Sequence, residues 1–275
     1  MSAPVLVTGA TGNTGAAVHR LLTARGVTVR AASRRPGPGG VRFDWADPGT
    51  YADALADVER MYLVAPIGVA EPAPIVRGFL AAAGELRRVV LLSSSATEPA
   101  DTGLGALHRL VTDLVPEWAI LRPSWFMQNF VGDHPVARGL RSGTVTTATG
   151  DGRIAFVDAE DIAAVAAYAL LCDEPPNTDY VITGPEALSY AEICQLASEL
   201  TGRPIRHVSV DTADRAAEIE AAGVPAPFAA VLAAMDEGIS RGAEDRVTDT
   251  VERLTGRPAR SVADFLAAHR DRLQP

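Results

Sequence analysis

The sequence predicts an α/β fold: a parallel sheet with helices on both faces and a small, mainly helical C-terminal lobe. Three observations carry this. The first half alternates short apolar, β-branched runs with amphipathic runs, the pattern of strands joined by helical crossovers. A turn with three evenly spaced glycines, Gly9, Gly12 and Gly15, joins the first strand to the first helix. Beyond about residue 130 the strand signals thin out and helical periodicity dominates.

Taken in order, Pro4–Val7 reads as the first strand and Thr14–Arg25 as an amphipathic helix. Val27–Ala32 is the second strand, and Pro36-Gly37-Pro38-Gly39-Gly40 behind it is a surface loop rather than a domain linker. Val41–Phe43 and Arg60–Ala65 are the third and fourth strands, and Val69–Ala83 is a helix. Arg88–Ser93 is the fifth strand; its Val89-Val90-Leu91-Leu92 is the continuous apolar run expected of a strand covered on both faces. Trp118–Leu121 is the sixth. Asp158, with Glu160 and Asp161 behind it, fits the capped, acidic start of an apolar helix over Ile162–Leu171 better than a catalytic carboxylate pair. Tyr180–Thr183 is one more strand, so the sheet is completed from roughly 154–184. Ser189–Thr201, Thr212–Ala222, Pro225–Ser240 and Ser261–Arg270 read as helices. The expected division is a sheet domain over 1–130 and a mainly helical lobe over 131–275.

Composition excludes several classes of function. With 47% hydrophobic and 21% charged residues, the chain builds a sizeable core and is not disordered. Net charge is −9, and every cation is Arg because the chain contains no Lys. Without a basic tract it is poorly suited to nucleic acid or an anionic membrane. Cys172 and Cys194 lie in helix-like segments without CxxC spacing, as reduced thiols would. The histidines are scattered and form no metal constellation, so no metal is expected. No signal-peptide pattern or bilayer-length apolar run is present, so a soluble cytoplasmic protein is expected, as monomer or homodimer.

The segment Gly9-Ala10-Thr11-Gly12-Asn13-Thr14-Gly15 lies directly between strand and helix. Gly9 permits the sharp turn, Gly12 lets a pyrophosphate approach the backbone, and Gly15 lets the helix pack close to the sheet. Backbone N–H groups at the helix start then face the phosphates. This is the dinucleotide-binding turn of a Rossmann-type domain. At the end of the second strand an NAD site places an acid for the ribose 2′-hydroxyl; here stand Arg34 and Arg35, whose forked donors suit the 2′-phosphate of NADP(H) over NAD(H). Asp44 and Trp45 close the third strand, where Asp44 either reaches the adenine amino group or caps a turn.

These residues resemble the NmrA-like family of atypical short-chain dehydrogenase/reductases. Val7-Thr8-Gly9-Ala10-Thr11-Gly12-Asn13-Thr14-Gly15, Leu91–Ser95, Leu121–Phe130, Phe156–Ala163 and Thr183-Gly184-Pro185-Glu186 carry the likeness across nearly the whole chain. The resemblance implies NAD(P)H-dependent reduction of quinones, azo dyes or iminium ions, or the non-catalytic redox sensing of some members. It also implies that Ala65 and Pro66 line the nicotinamide side, that Ser93 to Ser95 stand beside it, and that Trp125 to Phe130 form part of a substrate wall. The wider superfamily's Tyr-x-x-x-Lys pair is missing from this Lys-free chain, which makes ordinary alcohol–ketone chemistry doubtful.

The remaining chemistry suits acceptors that need little help with a proton: quinones, iminium ions and conjugated alkenes. The expectation is an NADPH-dependent reductase of such a small electrophile, with a non-catalytic NADP(H)-sensing regulator as the alternative. His108 is the nearest candidate proton donor, or a histidine on a helix surface or in a polar contact. Ser94 and Ser95 either bond an acceptor oxygen or satisfy loop backbone. Trp125, Phe126, Met127 and Phe130 either wall a pocket for a flat substrate, two of the four facing it, or fill a core; Gln128 and Asn129 are that segment's polar handles.

Overall fold

The computed structural model describes residues 3–275. Strand β1 (Val5–Val7) is buried and leads through the glycine turn into α1 (Asn13–Ala24). Strands β2 (Val29–Ser33) and β3 (Val41–Arg42) follow, then a 3-10 turn and the short α2 (Tyr51–Leu55). Next come β4 (Arg60–Val64), α3 (Ala73–Ala81), β5 (Arg88–Leu92), α4 (Gly103–Leu114) and β6 (Glu117–Pro123). Helix α3 starts later than the apolar pattern suggests. Pro72 and Pro74 have no N–H to give a preceding turn, and they fit the helix start, where none is needed.

The chain continues through a 3-10 turn to α5 (Pro135–Ser142), β7 (Thr144–Thr147) and β8 (Arg153–Ile154). Then α6 (Ala159–Leu171), β9 (Thr178–Ile182), β10 (Leu188–Ser189), α7 (Tyr190–Thr201) and β11 (Arg206–Ser209) succeed one another. It ends in α8 (Thr212–Ala221), α9 (Ala226–Ser240), α10 (Thr250–Thr255) and α11 (Val262–Ala268).

Two compact units share these elements. The first holds the chain up to Pro123 together with Ala159–Ile182 and Thr250–Arg257. Its seven strands run parallel in the order β3-β2-β1-β4-β5-β6-β9. Helices α1 and α6 pack together on one face. On the other, Val76 and Phe79 of α3 and Leu107, Leu110 and Val111 of α4 meet Met61, Leu63, Val89, Leu91 and Ile120. Almost every side of α6 is buried, as its uniformly apolar sequence requires. Strand order reverses between β1 and β4, which opens a crevice at the carboxyl ends of these two strands.

The second unit holds Ser124–Asp158, Thr183–Asp249 and Pro258–Pro275. The division therefore falls at Pro123 rather than near residue 130, and Phe156-Val157 belongs to the second unit instead of completing the large sheet. The reason is local: Phe126 bridges Val157, and Met127 N–H donates to the Val157 carbonyl at 2.9 Å. This unit is less purely helical than its sequence suggests. Strand β7 pairs in parallel with β11, and β8 pairs antiparallel with β10. Its core joins Phe130, Phe156, Tyr190, Ile193 and Phe265.

Candidate active site at the carboxyl edge of the first sheet

The glycine turn is held from two sides. Thr8 Oγ1 accepts from Val64 N–H at 2.7 Å, and Thr8 N–H donates to the Tyr62 carbonyl, which fastens the end of β1 to β4. Ala10 N–H donates toward the Ala32 carbonyl of β2, and Gly12 N–H closes the turn on the Gly9 carbonyl at 2.9 Å. Gly9 sits at φ +61°, a region that side chains rarely enter. A Cβ on Gly15 would lie 2.2 Å from the Gly9 carbonyl oxygen, so only glycine lets α1 nest against the turn.

Gly12 differs from both. A Cβ there would meet only the Gly9 oxygen, at 3.4 Å, and would otherwise project into open space. Thr11, Gly12 and Asn13 are exposed, whereas Thr14 and Gly15 are buried. Gly12 caps α1 without a side-chain hydrogen bond, so the first-turn N–H groups face outward at the positive end of the helix. The space a Cβ would fill, bordered by these donors, fits a dinucleotide's pyrophosphate.

Arg34 and Arg35 follow β2 directly, are both exposed, and make no ion pair among the described residues. Asp44 caps a turn: its Oδ1 accepts from Ala46 N–H at 3.0 Å, and its own N–H donates to Thr50 Oγ1. Trp45 is half-buried and packs edge-on to Phe43 and Phe79, with centroids 4.8 and 5.1 Å away, while Tyr51 donates to its carbonyl. Past β4, Ala65 is half-buried and Pro66 is buried.

Ser93, Ser94 and Ser95 leave the end of β5 and have three different neighbourhoods. Ser93 N–H donates to the Leu121 carbonyl at 2.8 Å, and its hydroxyl meets His108 Nε2. Ser94 Oγ accepts from Ala96 N–H at 3.2 Å, a local turn contact. Ser95 is buried; its N–H donates to the Pro123 carbonyl, and its carbonyl accepts from Arg122. His108 is buried on α4 rather than surface-exposed. Burial, with a smaller contribution from Arg122, lowers its pKa below the usual histidine value, partly offset by Asp179 and Glu98. Sequence reasoning missed Thr8 and the group around Arg122, which bonds Asp179 at 2.8 Å and Glu98.

Within the second unit, Met127 and Phe130 are fully buried, and Phe130 stacks edge-on with Phe156 at 4.8 Å. These two of the four apolar residues belong to that unit's core. Trp125 and Phe126 are half-buried. Gln128 donates to Asp158 at 2.8 Å, and Asn129 is half-buried with its N–H on the Phe126 carbonyl. Asp158 also accepts from Arg260 at 3.1 Å, which is a structural role. Among the described residues no cluster could hold a metal ion, and no helix is long and apolar enough to cross a membrane.

Comparison with known proteins agrees with the fold. No family model matches the sequence. An uncharacterized oxidoreductase, YesF, of Bacillus subtilis is 44% identical over 272 residues, covering 97% of this chain and 95% of the relative. The agroclavine dehydrogenase of Claviceps fusiformis is 34% identical over 281 residues, covering 97% of each. Among solved structures, an NADPH-dependent quinone oxidoreductase of Escherichia coli, complexed with NADPH, superposes with a TM-score of 0.81. It is 25% identical, with 96% of this chain and 99% of that one covered.

Proposed function

Because the chain belongs to the NmrA-like family of atypical short-chain dehydrogenase/reductases and is an NAD(P)H-dependent oxidoreductase, we propose that it is an NADPH-dependent reductase of a small electrophilic acceptor. Quinones, iminium ions and conjugated alkenes are the acceptor classes. The observation that carries this reading is the open space at Gly12, bordered by helix-start N–H groups at the strand-order reversal. The names of the relatives, an oxidoreductase, a dehydrogenase and a quinone oxidoreductase, support catalysis over pure NADP(H) sensing.

In this reading Gly9, Thr11, Gly12, Asn13, Thr14 and Gly15 receive the pyrophosphate on backbone donors. Arg34 and Arg35 take the 2′-phosphate, and Asp44 and Trp45 frame the adenine side. Ala65, Pro66 and Ser93 border the nicotinamide at the carboxyl ends of β4 and β5. Bound NADPH supplies the hydride; the chain fixes its position and shelters it from water. With no Lys anywhere in the chain, a Tyr-Lys pair is unavailable, which favours acceptors that are already electron-poor.

Calorimetry with NADPH and NADH tests the cofactor assignment. Replacing Arg34 and Arg35 together by Ala removes charge-assisted bonds worth roughly 1.5–3 kcal/mol. NADPH affinity then falls about 10- to 100-fold while NADH affinity holds. Equal loss for both nucleotides would take the 2′-phosphate off these arginines. Steady-state NADPH oxidation against quinone, cyclic-iminium and enone panels tests the acceptor; silence with every class would leave binding without catalysis.

A further inference from the structure

Ser93 is the first residue past β5, so its hydroxyl stands at the carboxyl edge of the sheet. That hydroxyl meets Nε2 of His108 on α4. His108 is also among the residues that line a groove of about 260 Å³ along the flank of α4, together with Thr112, Trp118, Arg122 and Asp179. The charged groups facing His108 are Arg122 of β6, Asp179 of β9 and Glu98 of the loop after β5. His108 therefore touches the serine through Nε2 and also forms part of the wall of the groove. Burial and Arg122 keep the imidazole neutral near neutral pH, when it still carries one N–H to give.

We propose that Ser93 and His108 form a two-group proton relay, carrying a proton from the groove to the acceptor reduced at the carboxyl edge. The proposal rests on the reductase reading above and deepens it by acceptor class. A quinone that gains a hydride gains two electrons and one hydrogen, and is left as an anion on oxygen. The Ser93 O–H bond breaks toward that oxygen as the His108 Nε2–H bond breaks toward Ser93 Oγ. In the same step Nδ1 takes a proton from a buffer acid or hydronium ion in the groove, so the ring stays neutral. Once product leaves, release of the Nδ1 proton to the groove and uptake of one through Ser93 Oγ restore the Nε2–H tautomer with no net change. Net consumption is one hydride and one proton per quinone. An iminium ion or a cationic triarylmethane dye becomes neutral on hydride addition and draws nothing from the relay.

Two measurements test this, the first without nucleotide. Nitrogen NMR of the free protein should show a neutral His108 with its proton on Nε2, and a shift of that ring in Ser93→Ala. A bare Nε2, or a ring indifferent to Ser93→Ala, overturns the relay. The second compares acceptors with NADPH bound. In Ser93→Ala and His108→Phe the quinone rate, relative to the cationic-dye rate, should fall about 100-fold, the scale of a lost general acid. The solvent isotope effect and pH dependence of quinone reduction should change with it. Equal losses on both acceptors overturn the proposal. Ser93→Ala removes a single oxygen, and circular dichroism with a thermal melt checks that each variant is folded. If the wild-type protein reduces neither acceptor, the reductase reading fails while the NMR result still decides the Ser93–His108 pairing.

Discussion

At the residue scale, the three glycines of the turn do different work, and single methyl groups separate them. Gly12 has extended backbone, φ −87° and ψ 176°, which alanine adopts freely. Its missing Cβ leaves room for a ligand and relieves no contact within the protein. Gly15 has its missing Cβ occupied by the Gly9 carbonyl. Gly12→Ala should therefore melt close to wild type but bind NADPH at least about tenfold more weakly, a loss of roughly 1.4 kcal/mol. Gly15→Ala should lose roughly 1–3 kcal/mol of stability as α1 is pushed off the turn. Thermal melts beside NADPH titrations check both, and a Gly12→Ala protein with full affinity would move the phosphates elsewhere. This part of the site was legible because spacing between a strand and a helix fixes backbone geometry locally. The Ser93–His108 contact was not, since it joins two elements 15 residues apart whose facing sides only the sheet order determines. Met127 and Phe130 were ambiguous for a similar reason: an apolar run does not reveal whether a core or a cavity receives it.

At the element scale, the long helices and the buried parallel strands were readable from periodicity, because each must hide a continuous apolar face. The two-residue β8 and β10 and the parallel pair β7–β11 were not. Their pairing depends on partners tens of residues away, and Thr144-Val145-Thr146-Thr147 and Arg206-His207-Val208-Ser209 carry one aliphatic residue each, too little to mark a strand. Helix α7 shows the opposite case, a start written in full. Ser189 Oγ accepts from Glu192 N–H at 3.3 Å, and Glu192 Oε2 accepts from Ser189 N–H at 2.7 Å. That backbone bond, helped by the Ser189 hydroxyl and Arg153, holds the Glu192 carboxyl below its ordinary pKa. Ser189→Ala removes one half of this reciprocal cap and should cost about 1 kcal/mol, lowering the melting temperature by about 2–4 °C. Ser189→Thr, which keeps a hydroxyl that accepts from Glu192 N–H and donates to its carboxylate, should recover most of the loss; equal destabilisation by both would deny the cap its role.

At the scale of the whole molecule, the chain passes repeatedly between its two units: it leaves the first after Pro123 and returns to it over Ala159–Ile182 and again over Thr250–Arg257. His108 is buried in the first unit and His134 and His207 are half-buried in the second, and this couples stability to pH. His108 in the first unit and His134 and His207 in the second all have pKa values lowered from the ordinary range, in each case chiefly by burial. A lowered histidine pKa means the unfolded chain binds the proton more readily than the folded one. Stability therefore rises with pH through the window below the ordinary value of about 6.5, and is lost as pH falls through it. Half-buried Asp236 has a raised pKa, again mainly from desolvation, and works in the opposite sense, but at the more acidic pH where carboxylates titrate. Melting temperature should thus drop between about pH 7.5 and about pH 5.5, well before the carboxylates protonate. His134 offers a clean dissection, because its Nδ1 accepts from Val136 N–H at the start of α5 and a proton on that nitrogen would abolish the cap. His134→Asn keeps a capping acceptor but cannot titrate, so it should flatten the acid limb of the stability profile while leaving the melting temperature at about pH 7.5 nearly unchanged. An unaltered acid limb in that variant would place the pH sensitivity on His108 and His207 alone.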